Sequence, residues 1–162
     1  MSGCCAPNPR ETCLVPEHDP APCPKCAVKG KSVATITVKS LVREHTRVQA
    51  EGCYWFCRAR ECDVVYFSDV MVFVKSDLKV RVGIKEQEDP IPLCYCFGYD
   101  RHDVRQDIEH RGASDIPARI KAEVQGGFCA CEVKNPSGSC CLGDINSALM
   151  HSLRPNEQFQ QG

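Results

Sequence analysis

The chain has 162 residues, with 20 Lys+Arg against 21 Asp+Glu and a formal net charge of -1. That is material for one ordinary domain or two small ones, and the balance excludes the basic field that nucleic acid or an anionic membrane surface would require. The strong deviation is 14 cysteines. In a short secreted protein they would suggest a disulfide scaffold, but the opening MSGCCAPNPR carries no apolar signal run and no stretch is long enough to insert in a membrane. The expectation is a cytoplasmic, reducing setting in which cysteines bind metal.

Residues 1–22 hold five prolines and three cysteines with almost no apolar periodicity, and read as a flexible arm. Cys4-Cys5 cannot readily close a relaxed disulfide with each other. These thiols, with Cys13, are candidates for a soft ion such as Cu(I) or Hg(II).

Cys23-Pro24-Lys25-Cys26, followed by Gly30, opens the first folded unit, residues 23–88. Two cysteines of a C-x-x-C turn project from a tight bend in the manner of a zinc knuckle, and Cys57 and Cys62 supply the other half after a zinc-ribbon-like separation. Cys23, Cys26, Cys57 and Cys62 are therefore assigned to structural Zn2+. Cys53 reads as a small buried residue or a spare thiol, with replacement of one ligand as the alternative. The thioredoxin-type reading of C-x-x-C fails because no βαβ pattern surrounds it. Val33–Val38 alternates as a strand, and Gln49–Cys57, Val64–Phe67, Val72–Val74 and Leu78–Val82 read as further strands.

The segment Ile84–Pro92 joins this unit to the second, residues 89–155, leaving 156–162 as a tail. Its prolines hold it extended before Cys94. Asp100 with Asp103 caps a helix over Arg101–His110, Ser114 or Asp115 with Pro117 opens a second helix that runs through Val124 to Gly126-Gly127, and Ile145, Leu149 and Leu153 mark a third. Three cysteine pairs sit at the loop and helix boundaries: Cys94 and Cys96, Cys129 and Cys131, Cys140 and Cys141. This layout predicts a [2Fe–2S] site with Cys94 and Cys96 as two of its thiolates. Cys129, Cys131, Cys140 and Cys141 compete for the other two places.

The strings DPIPLCYCFGY and CACEVKNPSGSCCLGD, with the helix order around them, resemble the bacterioferritin-associated ferredoxin-like [2Fe–2S] domain. They are similar to the N-terminal domain of CopZ-type copper chaperones and to stand-alone iron–sulfur metallochaperone-like proteins. RECDVVYFSD likewise resembles the zinc half of such a domain. The resemblance implies an α+β fold, a small zinc-ribbon-like β unit followed by a three-helix bacterioferritin-associated ferredoxin-like [2Fe–2S] unit. It implies Cys94, Cys96, Cys131 and Cys141 as the cluster ligands, with Cys129 and Cys140 as alternatives.

No Ser-His-Asp set, phosphate loop, paired-carboxylate site or HExxH helix is present, so the chain is not expected to be an enzyme. The resemblance implies trafficking of a soft metal, copper or mercury, beside a redox-active [2Fe–2S] cluster able to support metal-ion reduction. A copper-transporting ATPase or a redox protein is the implied partner, and Cu+ the implied cargo beside Zn2+. The alternative is a ferredoxin-like electron carrier without metal cargo. Full-length CopZ-type chaperones also carry a heavy-metal-associated domain with an MxCxxC loop, which this sequence lacks.

Overall fold

The computed structural model describes residues 20–50 and 52–153. Cys4, Cys5 and Cys13, and with them the arm expectation, lie outside the described residues. A four-stranded antiparallel sheet runs in the order β1 (Lys31–Val33), β2 (Tyr54–Phe56), β3 (Val64–Phe67), β4 (Val72–Val74). β3 is central and buried along its whole length. Val38, Val42, Tyr54, Val65, Phe73 and Leu78 belong to the main core; Val64 and Phe67 of β3 pack instead with Cys23, Cys57 and Cys62.

Three strand expectations change on folding, the first being Gln49–Cys57, of whose described residues only Tyr54–Phe56 are strand. Thr35–Leu41 is a helix, α1, rather than part of a strand through Val38. Its Thr37, Val38 and Leu41 share a buried helical face, and that burial overrides the β preference of a Thr- and Val-rich run. Leu78–Val82 forms no strand; Leu78 makes a single antiparallel bridge to Val42, and Leu78 and Val82 are both buried.

After the sheet come a two-stranded ribbon of β5 (Pro92–Cys94) and β6 (Tyr99–Asp100), then α2 (Arg101–Arg111), α3 (Ile116–Gln125), the single turn α4 (Cys131–Lys134) and α5 (Leu142–Leu153). α2 begins with a reciprocal cap. Asp103 N donates to Asp100 Oδ1 at 3.0 Å and Asp100 N to Asp103 Oδ2 at 2.9 Å, and Gly112 at φ 72° closes the other end. Pro117 sits in the first turn of α3. Val104, Ile116, Ile120 and Ile145 meet in the core between these helices, together with Cys94 and Cys141.

The expected fold class, a zinc-ribbon-like unit followed by a separate three-helix ferredoxin-like unit, is corrected: the chain forms a single mixed α+β domain. α1 packs on α4, so a helix of the first part shares its buried face with the second. Tyr66 of β3 donates a 2.6 Å hydrogen bond to the Pro136 carbonyl. Lys31 of β1 donates to the Ser137 carbonyl at 3.0 Å and to the Ser139 hydroxyl. Gly83 lies so close to Pro92 that a Cβ would stand 2.0 Å from its carbonyl oxygen, and Tyr95 Oη bridges Gly83 N at 2.9 Å and Arg81 O at 2.8 Å. Buried polar contacts of this kind have partners only while the two parts stay docked. Two further elements, the ribbon and α4, carry too few residues to show a period in sequence.

Candidate metal centre

Two short loops bring the first cysteines together. In the first, Ala27 N donates to Cys23 O and Cys23 N to Val28 O, both at 2.9 Å, and Ala27 takes the left-handed conformation at φ 60°. Gly30 follows where a Cβ would meet the Phe67 ring and Trp55 at 2.7 Å, so the knuckle can lie directly on the stacked pair Trp55–Phe67. The second loop leaves β2 with Cys57 N bonded to Val65 O at 2.9 Å and turns back at Cys62, whose N–H reaches Ala59 O at 3.4 Å. An exposed Lys25–Asp63 ion pair at 2.6 Å spans the two loops.

The sulfurs of Cys23, Cys26, Cys57 and Cys62 all lie within 4.8 Å of one another. Cys26 and Cys57 are 3.6 Å apart, Cys23 and Cys62 3.9 Å. Cys23, Cys57 and Cys62 are buried and Cys26 half-buried. Burial pushes the Cys57 thiol up to about 12 despite the Ala59 amide that donates to it, and burial likewise raises Cys62. For Cys26 burial also opposes ionisation, but the Val28 amide and hydrogen bonds from Cys57, Cys23 and Cys62 outweigh it and bring the thiol down to about 7. Four thiols crowded in this way cannot all ionise unless a cation joins them, and tetrahedral Zn2+ or Cu+ fits the donor set. Cys53 is not in the group; it is disulfide-bonded.

The second set is organised by the loop between α4 and α5. Buried Asn135 donates to Ser139 O at 2.8 Å and accepts from Ser137 N and Ser137 Oγ at 3.0 Å, folding NPSGS so that Cys131 and Cys141 approach each other. Cys96 Sγ stands 3.4 Å from Cys131 Sγ and accepts from Ala130 N at 3.2 Å. Cys94 is hydrogen-bonded to Cys141, which lowers it to about 7 against the effect of burial. Cys141 is raised by its hydrogen bonds to Cys131 and Cys94 and by burial, and burial lifts Cys96 to about 12. Cys94, Cys131 and Cys141 are buried, whereas Cys129 and Cys140 are half-buried. The structure thus links Cys94, Cys96, Cys131 and Cys141 by sulfur contacts, with Cys129 and Cys140 half-buried, as Cys96 is. Sequence reasoning missed Asn135, although an Asn followed by Pro and alternating serines is a recognisable turn signal, and it missed buried Lys85, which donates to the carbonyls of Ala59 and Cys62.

The chain matches the family described as a zinc-binding domain over residues 20–79. Over 119 residues it is 38% identical to the copper chaperone CopZ of Archaeoglobus fulgidus, covering 74% of this chain and 57% of that protein; the chain therefore spans little more than half the length of this relative. The X-ray structure of the Archaeoglobus fulgidus CopZ N-terminal domain superposes with a TM-score of 0.65 at 35% identity, covering 78% of this chain and 95% of that one.

These findings correct the iron–sulfur expectation. Among the described residues, the group of three or more potential ligands that all fall within 4.8 Å is the four-cysteine set of zinc or copper type; the second set meets through sulfur pairs rather than as such a cage. The matches speak of zinc and copper, and of no separate ferredoxin unit. The [2Fe–2S] cofactor, the iron–sulfur metallochaperone resemblance, the redox role in metal-ion reduction and the electron-carrier alternative are withdrawn together, since each depends on that cluster. No helix among the described residues is long and apolar enough to cross a membrane.

Proposed function

Because the chain belongs to the family of the CopZ N-terminal domain, we propose that it is a soft-metal-handling domain of the copper-chaperone type. The observation that carries this reading is the convergence of four sulfurs within 4.8 Å from two knuckles far apart in sequence. Cys23, Cys26, Cys57 and Cys62 hold Zn2+ as a structural ion: the site is closed, mostly buried and anchored at the ends of the two interior strands β2 and β3, which suits a resident metal better than a cargo. Cys94, Cys96, Cys131 and Cys141 form a second thiol pocket that ligates a soft metal, with Cu+ as the cargo and a copper-transporting ATPase as the acceptor. Thiolates select such ions over hard cations by their polarisability.

The test is metal analysis of anaerobically purified protein, for zinc, copper and iron, in the wild type and two variants. About one zinc per chain is expected, lost in Cys23→Ser and retained in the double variant Cys94→Ser/Cys141→Ser. The double variant is expected to lose tight Cu(I) binding in competition with a chromophoric Cu(I) chelator. Zinc content indifferent to Cys23→Ser overturns the zinc site; Cu(I) affinity unchanged in the double variant overturns the cargo pocket.

A further inference from the structure

Lys85 ends the short turn Gly83–Lys85 and is 5% exposed. Its ammonium donates to two backbone carbonyls, Ala59 O at 2.7 Å and Cys62 O at 2.9 Å, both in the loop that carries Cys57 and Cys62. The adjacent carboxylate, Glu86, is turned instead to Lys75 at 3.0 Å and Arg81 at 2.8 Å. Lys85 has no carboxylate partner among the described residues. Neutral carbonyls satisfy the donors of a buried ammonium but not its charge, and an uncompensated buried charge is costly.

The loop that Lys85 clasps is the one that carries Cys57 and Cys62 of the four-sulfur group. A divalent ion on four thiolates leaves an excess of about two negative charges. Lys25 is exposed and already paired with Asp63, Lys75 is paired with Glu86, and Arg58 and Arg60 are exposed to solvent. Taking the zinc-site reading above as its basis, we propose that Lys85 is the buried counter-ion of the tetrathiolate site. It is a positioning residue that clasps the Cys57–Cys62 loop through its carbonyls and offsets the negative charge of the metal-loaded state. Outer-shell groups of this kind orient ligands and tune the affinity of the metal they never touch.

The experiment compares zinc affinity, by competition with a chromophoric chelator, in Lys85→Met, Lys85→Gln and Lys85→Arg, counting only the zinc that Cys23→Ser removes. Lys85→Met and Lys85→Gln are expected to weaken binding on the order of 10–100-fold, with Lys85→Arg, which keeps the charge, within a few-fold of wild type. A methionine variant within about threefold of wild type overturns the inference, as does a glutamine variant that matches wild type while methionine falls, because a clasp of carbonyls then explains everything. If the methionine variant fails to fold, the comparison of glutamine with arginine decides: equal affinities overturn the counter-ion role. Wild-type protein with no zinc dependent on Cys23 would overturn the site reading itself, a failure distinguishable from that of Lys85.

Discussion

The phenol of Tyr66 donates to the carbonyl of Pro136 across seventy residues of sequence, at 2.6 Å, with both groups buried. The bond joins the central strand of the sheet to the loop that sets Cys131 and Cys141. Its physical importance lies in what its loss would leave: a carbonyl with no water to replace the donor.

Tyr66→Phe removes that donor with little change in volume. A loss of about 1–3 kcal/mol is expected, measured by urea denaturation of the metal-loaded protein. In the wild type, Trp55 fluorescence from the sheet and circular dichroism at 222 nm from the helices should report one coincident transition. Separate transitions would mean that the two halves unfold independently.

Cys140 and Cys141 are adjacent in sequence but differ in burial. Cys141 is 1% exposed beside Cys94 in the helical core, whereas Cys140 is half-buried. Cys141→Ser is expected to weaken soft-metal binding by at least about tenfold, since one thiolate ligand is lost, and Cys140→Ser to leave it near wild type. Equal effects in a Cu(I) competition titration would show that this assignment of ligands is wrong.

Glu86 supplies a pH-dependent prediction. Burial opposes its ionisation, but hydrogen bonds from Lys75 and Arg81 prevail and hold its carboxyl below the ordinary value. A folded-state value below the unfolded one means that the stabilisation is complete above about pH 4.3 and is lost as pH falls through the folded value. Glu86→Gln should therefore cost about 1 kcal/mol at pH 7, with the gap to wild type closing in the acid range. Proton-driven zinc loss affects both proteins alike and leaves the difference readable in paired thermal melts.

The cap of α2 gives an independent check on the second half. Asp100→Ala removes the acceptor for Asp103 N and should destabilise the domain by about 1 kcal/mol, while Asp100→Asn should cost only a fraction of that. Zinc content is expected to stay at the wild-type level in both variants.

Chelation of the metal should act locally first. Amide exchange is expected to accelerate at 23–30 and 57–63, where crowded thiols lose the cation that holds them together. Protection at Val65 and Tyr66, in the centre of the sheet, should fall later. Uniform deprotection at once would mean that the ion stabilises the whole domain as one unit.

Local chemistry was legible in the chain itself. Cys23-x-x-Cys26 and Cys57 to Cys62 announced two knuckles because ligand spacing is a property of short loops, and the fold brings their four sulfurs within 4.8 Å. Asp100, Asp103 and Pro117 announced helix starts because capping is settled within one turn. Where the sequence reading failed, a contact distant in sequence had prevailed. Thr35–Leu41 is helical because its apolar face is covered by the core and by α4, against the preference of its β-branched residues. The approach of Cys131 and Cys141 depends on the Asn135 turn and on the burial of α5 against α2 and α3. The union of both halves in one domain came from Tyr66, Lys31, Gly83 and Tyr95, whose partners are backbone atoms that no pattern of side chains reveals. Sequence determined which thiols stand close along the chain; the tertiary structure decided which of them meet, because burial and hydrogen bonding are satisfied only in the assembled fold.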